Sequence, residues 1–307
     1  MVEIEQLGEY TGHRGSIFAM VIDEDERYAY TSGDDGMVVR WDLHSKTDLG
    51  EGIMQTGSSI YTIALIPGRD LLAVGASDGT LSLIDLKARA VVATYRKTEG
   101  SIYGLFYDEV QDCLWGLHAH GALSAHRLPD LEEGYYHRIA QGNLRSLTPM
   151  LDQPYFFIGS SDEHIYVFDP RTKKLRSRWK AHEHSVFCLA VHPDAKYLIS
   201  GGRDAFLRVW DLQASEFRNS HQIPAHNYTV NDLAFSPQRD YFITASRDKT
   251  LKLWDAYHFE LLKVVDFARN EGHKHSVNRV IWLSKDNSVL SCSDDRRVLR
   301  WRISVEK

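Results

Sequence analysis

The sequence predicts an all-β fold: a seven-bladed β-propeller of four-stranded antiparallel blades, its ring closed by the N-terminal strand pairing in the last blade. Three observations predict it. A Trp, or a residue standing in its place, recurs at Trp41, Ile84, His126, Phe168, Trp210, Trp254 and Trp301, at steps of 42 to 47 residues. An aliphatic anchor recurs at Ile17, Ile60, Ile102, Leu144, Val186, Val230 and Val277, in every case 24 positions before that slot. Between these markers lie short β-rich runs separated by turn residues such as Asp35-Gly36, Asp78-Gly79 and Pro193-Asp194, with no long 3.6-residue period.

Each unit reads as four short strands. The anchor opens the first, the turn Asp or its replacement follows the second, and the Trp slot ends the third. Length variation falls between one slot and the next anchor, where the fourth strand and its loop lie. A repeat of this length built from strands alone is the propeller solution to unprotected sheet edges. Val2 to Tyr10 reads as a strand, and the seventh unit has only three, the last near Ile303. The N-terminal strand therefore supplies the missing fourth. Residues 1–307 read as one propeller with no linker.

The first strand carries a further signal. Its apolar residues stand at the anchor, at +3 and usually at +5, as in Ile17, Met20, Ile22 and Ile60, Ile63, Leu65. A strand with one buried face alternates strictly, so one extra residue sits just after the anchor, as in a β-bulge. The residues at +1 are Phe18, Tyr61, Tyr103, Arg145, Phe187, Asn231 and Asn278. Their chemistry varies while their neighbours' does not, so the core does not dictate them. Antiparallel strands place the loop entering strand one and the turn between strands two and three on one face, the top.

The copies TSGDDGMVVRWDL, SGGRDAFLRVWDL and TASRDKTLKLWDA, ending at Leu43, Leu212 and Ala256, carry a combined GH…D…WD spacing. On these residues the chain resembles the WD-repeat family, which includes G-protein β subunits, over nearly its full length. The resemblance implies a buried hydrogen-bonded tetrad in each blade. The matching residues are His13, Thr31, Asp35 and Trp41 in blade one, and His182, Ser200, Asp204 and Trp210 in blade five. They are His226, Thr244, Asp248 and Trp254 in blade six, and His273, Ser291, Asp295 and Trp301 in blade seven. Blades two to four depart, with Thr56, Thr98 and Ala140 at the His position; blade three also has Gly116, His120 and His126 in the remaining slots. These blades are expected to lack the network and to form the softer third of the ring.

The resemblance also implies that the +1 residues ring the top opening and contact partners. Residues before the turn Asp lie nearby. They include an acidic pair, Asp34 and Asp294, on adjoining blades beside Phe18, and a basic pair, Arg203 and Arg247, beside Phe187. Aromatic faces with acids suit a partner's Lys or Arg, and arginines suit a carboxylate or phosphate. Packing between blades is the competing explanation for the aromatics.

Composition bounds the function. The net charge of -6 leaves no basic surplus for general nucleic-acid binding. Cys113, Cys188 and Cys292 are far apart and form no CxxC, which suits free thiols in a reducing compartment. Neither a secretory leader nor an apolar run long enough to span a membrane is visible. His118/His120, His182/His184 and His273/His275 are HxH pairs, but no Cys/His spacing completes a metal site. No catalytic motif stands out, and no cofactor is expected. The expectation is a non-catalytic scaffold or peptide reader, cytoplasmic, monomeric by itself, binding a protein or peptide partner on the top face. The alternative is a small-molecule sensor or enzyme using the channel mouth.

Overall fold

Seven four-stranded antiparallel sheets make up the protein, six with their strands in chain order and the last completed by the N-terminal strand. The computed structural model describes residues 2–45, 47–97, 100–151, 153–214 and 217–305; Thr98 lies outside them. The first strands of the seven blades are Ile17–Ile22, Ile60–Ile66, Ile102–Asp108, Leu144–Pro149, Val186–Val191, Val230–Phe235 and Val277–Trp282. Each packs beside the first strand of the next blade, and the seventh packs beside the first, so they form a closed inner ring.

Closure is covalently economical. The N-terminal strand Val2–Thr11 pairs with Arg297–Val305 from Val2↔Val305 to Thr11↔Arg297. It is the outer strand of the last blade and covers what would be an open edge.

The apolar residues of each blade face the neighbouring blade, not their own. Tyr10, Ile17 and Trp41 pack with Leu290, Cys292 and Val298 across the joint between blades seven and one. Tyr30 and Val38 of blade one pack with Ile60 and Leu72 of blade two. Ile17 and Ile60 are fully buried, and each such aliphatic contributes about 1.5–3 kcal/mol.

Four blades contain the tetrad. In blade one, Trp41 Nε1 donates to Thr31 Oγ1 at 2.7 Å, His13 Nε2 lies 2.8 Å from the same hydroxyl, and His13 Nδ1 lies 2.9 Å from Asp35 Oδ2. Indole can only donate, so the hydroxyl accepts from Trp41 and gives its own proton to Nε2. Nδ1–H then donates to the carboxylate. The same chain runs through His182, Ser200, Asp204 and Trp210. It recurs through His226, Thr244, Asp248 and Trp254, and through His273, Ser291, Asp295 and Trp301. Burial lowers the pKa of His13, His182 and His226, their aspartates only partly opposing it. Burial alone would raise Asp204, Asp248 and Asp295, but the imidazole bonds and charges outweigh it and hold them well below the usual range. Each aspartate is thus held as the ionised acceptor of its imidazole Nδ1–H.

Blades three and four correct the expectation that they have no network. In blade three, His118 Nε2 lies 2.7 Å from Ser124 Oγ and His126 Nε2 lies 3.0 Å from it, while His126 Nδ1 reaches Leu131 O at 3.2 Å. A carbonyl only accepts, so the chain reads His118 N–H to Ser124, Ser124 O–H to His126, His126 N–H to Leu131. Gly116 stands opposite Ser124 in the register. A Cβ on Gly116 would fall 2.7 Å from Ser124 Oγ and 3.0 Å from His118 Nε2. The glycine in the Ser/Thr slot therefore vacates the space that the substitute network fills. His120 is not part of it; it turns with φ 58° and its N–H donates to Asn143. In blade four, Asp162 accepts from the Gln141 and Gly142 N–H groups and from Tyr166 OH at 2.8 Å, the phenol replacing the imidazole.

Candidate functional site at the channel mouth

The bulge falls at one residue in every first strand. The ladder skips from Ile17 to Ala19, Ile60 to Thr62, Ile102 to Gly104, Leu144 to Ser146, Val186 to Cys188, Val230 to Asp232 and Val277 to Arg279. The skipped residues are the seven at +1. Freed from the pleat, their half-buried side chains line one cavity of about 370 Å³, together with Arg279. A second cavity of about 240 Å³ continues down the channel and shares Arg145, Phe187 and Arg279 with the first.

The lining is a chain of neighbours. The Phe18 and Tyr61 rings meet edge to face at 5.4 Å, and Tyr61 stacks on Tyr103 at 5.6 Å. The Arg145 guanidinium lies 4.1 Å from the Tyr103 ring centre and 5.3 Å from that of Phe187. Asn231 Nδ2 donates to Val277 O and Asn278 Nδ2 to Ile17 O, both at 2.8 Å. These side chains therefore tie blade to blade as well as facing the opening. The asparagines do so by hydrogen bonds to the neighbouring backbone, the aromatics by ring contact.

The charges are arranged differently from the sequence expectation. Asp34 is exposed and accepts from Ser59 Oγ at 2.9 Å; Asp294 accepts from Asn278 Nδ2 at 2.8 Å. Neither lines the cavity, and neither do Arg203 and Arg247, which are exposed at the rim. The charged groups that line it are Arg145 and Arg279, the latter missed by the +1 pattern because it stands at +2. Arg279 has an acid: Asp232, 3.7 Å away within the channel. Its Nε also donates to Phe18 O at 3.3 Å. Burial pushes the Asp232 carboxyl up, opposed by Arg279 and the Val280 N–H.

Arg145 has no such partner. Its Nε donates to Ser161 Oγ at 2.9 Å. Among the described residues no carboxylate lies within ion-pair distance of it. Burial lowers its pKa; Tyr103 and Tyr61 oppose the shift, and Arg203 adds like charge. A guanidinium does not shed its proton in a protein, so desolvation here leaves a standing cost, not a neutral group.

Among the described residues there is no cluster of three or more His, Cys, Asp or Glu placed to hold a metal. The three cysteines are unpaired. Among the described residues no helix is long and apolar enough to cross a membrane.

A ring of seven four-stranded blades, four of them pinned by His–Ser/Thr–Asp–Trp networks, defines a repeat propeller with a side-chain-lined mouth. The chain belongs to the WD-repeat family: the family described as WD domain, G-beta repeat matches residues 4–42, 173–211, 217–255 and 265–302, half of the chain. These four stretches contain the four tetrads; blades two and three lie outside them, and of blade four only the outer strand Lys174–Lys180 falls within. Human Striatin-4 is 22% identical over 249 residues, 69% of this chain and 30% of its own length. Rat Striatin is 22% identical over 247 residues with the same coverage. Ribosome biogenesis protein ytm1 of Pyrenophora tritici-repentis is 31% identical over 106 residues, 33% of this chain and 23% of its own. The chain spans about 30% of the length of the striatins it matches.

Proposed function

We propose that this chain is a protein-interaction scaffold that receives a segment of a partner across the top face, over the channel mouth. The observation that carries the reading is the convergence of all seven bulged side chains on one cavity. Aromatic rings left half exposed in a cluster mark interaction surfaces more often than scattered ones do. The propeller presents them on a rigid inner ring, so little ordering entropy is lost when a partner docks. The relatives with matching repeats are likewise much longer than this propeller, which fits a module acting within assemblies.

Binding, not turnover, is the function assigned. The His–Asp pairs that resemble acid–base machinery are committed to the tetrads. The cavity is lined by Phe, Tyr, Arg and Asn, none of them a nucleophile paired with a base.

The test is affinity capture with wild type and with Phe18→Ala/Tyr61→Ala. The double variant loses the partners held by wild type. If it retains all of them while folded, the binding surface is elsewhere on the ring.

A further inference from the structure

We propose that the channel mouth takes a carboxylate of a peptide partner, held by the guanidinium of Arg145. The inference rests on the top-face reading above and names the chemistry of what enters.

Guanidinium donors lie in the plane of the group, and its faces have none. In this structure Tyr103 and Phe187 approach the Arg145 guanidinium from adjoining blades at 4.1 and 5.3 Å. Nε is used by Ser161 and the Tyr103 side chain shares a hydrogen bond with the guanidinium; neither partner carries a negative charge, and the guanidinium lines the cavity. Rings fix the fork's orientation, Ser161 fixes its root, and no acid of this chain, among the described residues, neutralises it. Such a charge, taken partly out of water and left without an anion, is costly until a ligand supplies one. That is the condition of a binding group and not of a structural ion pair.

The charge count selects the ligand class. Arg279 already shares its charge with Asp232, so the mouth offers one uncompensated cation. A carboxylate brings one negative charge and two acceptor oxygens in the geometry of the fork. A phosphate brings close to two charges and would leave one unmet. A partner's Lys or Arg, which the acids Asp34 and Asp294 suggested from sequence, would meet two arginines inside the cavity and no carboxylate on its lining. The aromatic arc of Phe18, Tyr61 and Tyr103 then receives the apolar stem or the neighbouring residue of the acidic side chain.

The experiment pans a library of random twelve-residue peptides on the full chain, with Phe18→Ala/Tyr61→Ala as the counter-selecting bait. Recovered peptides are synthesised and their affinities measured against wild type and Arg145→Gln. The expected result is one fixed Asp or Glu whose replacement by Asn or Gln weakens binding at least about tenfold, the value of one charge-assisted hydrogen bond. Against Arg145→Gln the same replacement changes affinity by less than about twofold, as a double-mutant cycle requires of a direct contact. Amidating the peptide's C-terminus separates a terminal carboxylate, which amidation abolishes, from a side-chain one, which it spares.

Peptides that need Phe18 and Tyr61 but tolerate loss of every acid overturn the carboxylate and leave the top-face reading standing. A phosphoserine at the fixed position that binds more than tenfold tighter overturns it in favour of phosphate. Recovery of no peptide dependent on Phe18 and Tyr61 overturns both.

Discussion

Arg297 Nη1 donates to Glu9 Oε2 at 3.1 Å while Nε and Nη2 of the same guanidinium hold Asp295 at 3.2 and 2.9 Å. One side chain thus joins the N-terminal strand to the tetrad of the last blade. The bridge is half exposed and contributes about 1 kcal/mol at most. The larger part of closure is the strand ladder and buried Tyr10, whose ring lies 5.9 Å from Trp41. Glu9→Gln is therefore expected to melt close to wild type. Deleting residues 2–10 bares the Arg297–Val305 edge and lowers the melting temperature by more than about 10 °C, or causes aggregation. An unchanged melting temperature after the deletion contradicts the role assigned to this strand.

Asp248→Ala removes the acceptor of His226 Nδ1, the Asn227 N–H and the Thr250 hydroxyl together. The expected cost in urea denaturation is about 1–3 kcal/mol. Asp78 of blade two, which has no imidazole at its side, accepts from Thr80 N and from the Thr80 and Ser58 side chains, and stands near Arg96. Asp78→Ala is expected to cost about 1 kcal/mol or less. Equal costs would mean that the tetrad adds nothing beyond its turn. Hydrogen exchange reads the same contrast: blade two, whose described residues form no His–Ser/Thr–Asp–Trp tetrad, opens before blades five and six.

Blade three gives the clearest pH dependence. Burial, with His126 nearby, brings the His118 pKa down to about 4. Burial likewise lowers His126. Unfolded, both titrate near 6.5. Above that value neither state binds the proton and stability is flat. Between about 6.5 and 4 the unfolded state takes up protons that the folded state refuses, so stability falls as pH falls. For His118 the full loss is about 3 kcal/mol. Denaturation midpoints at pH 7 and pH 5 check this: wild type loses stability across the interval, and His118→Gln loses less of it. Ser124→Ala, which leaves both imidazoles short of a partner, costs about 1–3 kcal/mol at pH 7.

How much of this was legible depended on whether a signal stayed at fixed offsets. The bulge was readable because Ile17, Met20 and Ile22 break strict alternation in the same way as Ile60, Ile63 and Leu65. The tetrads were readable because His, Ser/Thr, Asp and Trp keep one spacing. The blade-three network was not, because Gly116 empties the usual slot and the hydroxyl arrives from Ser124, its cross-strand partner, a position outside the tetrad pattern. The place of the charges about the mouth depends likewise on contacts that the repeat does not encode. Asp34 and Asp294 are adjacent to Phe18 in blade order, but Ser59 and Asn278 engage them. Arg145 meets two rings from two other blades, a relationship fixed by the ring and not by local sequence.

The two kinds of +1 residue should separate in a stability measurement. Asn278 Nδ2 donates both to Ile17 O of blade one and to Asp294 of its own blade. Asn278→Ala leaves Ile17 O at the closing joint with only the long, weak bond from Cys292 Sγ, at about 1–3 kcal/mol. Phe18 and Tyr61 are half exposed and meet edge to face at 5.4 Å. An aromatic pair of this kind adds about 0.5–1.5 kcal/mol beyond area, and here much of the area stays in contact with water. Phe18→Ala/Tyr61→Ala is therefore expected to cost less than about 3 kcal/mol, a shift of several degrees in a chain of this size, while abolishing partner capture. Asn278→Ala is expected to lose more stability than either single aromatic variant, because it removes a hydrogen bond across the closing joint. If the aromatic double variant instead melts far below Asn278→Ala, the rings are staves between blades, and the loss of partners in that variant reports unfolding and not a lost contact.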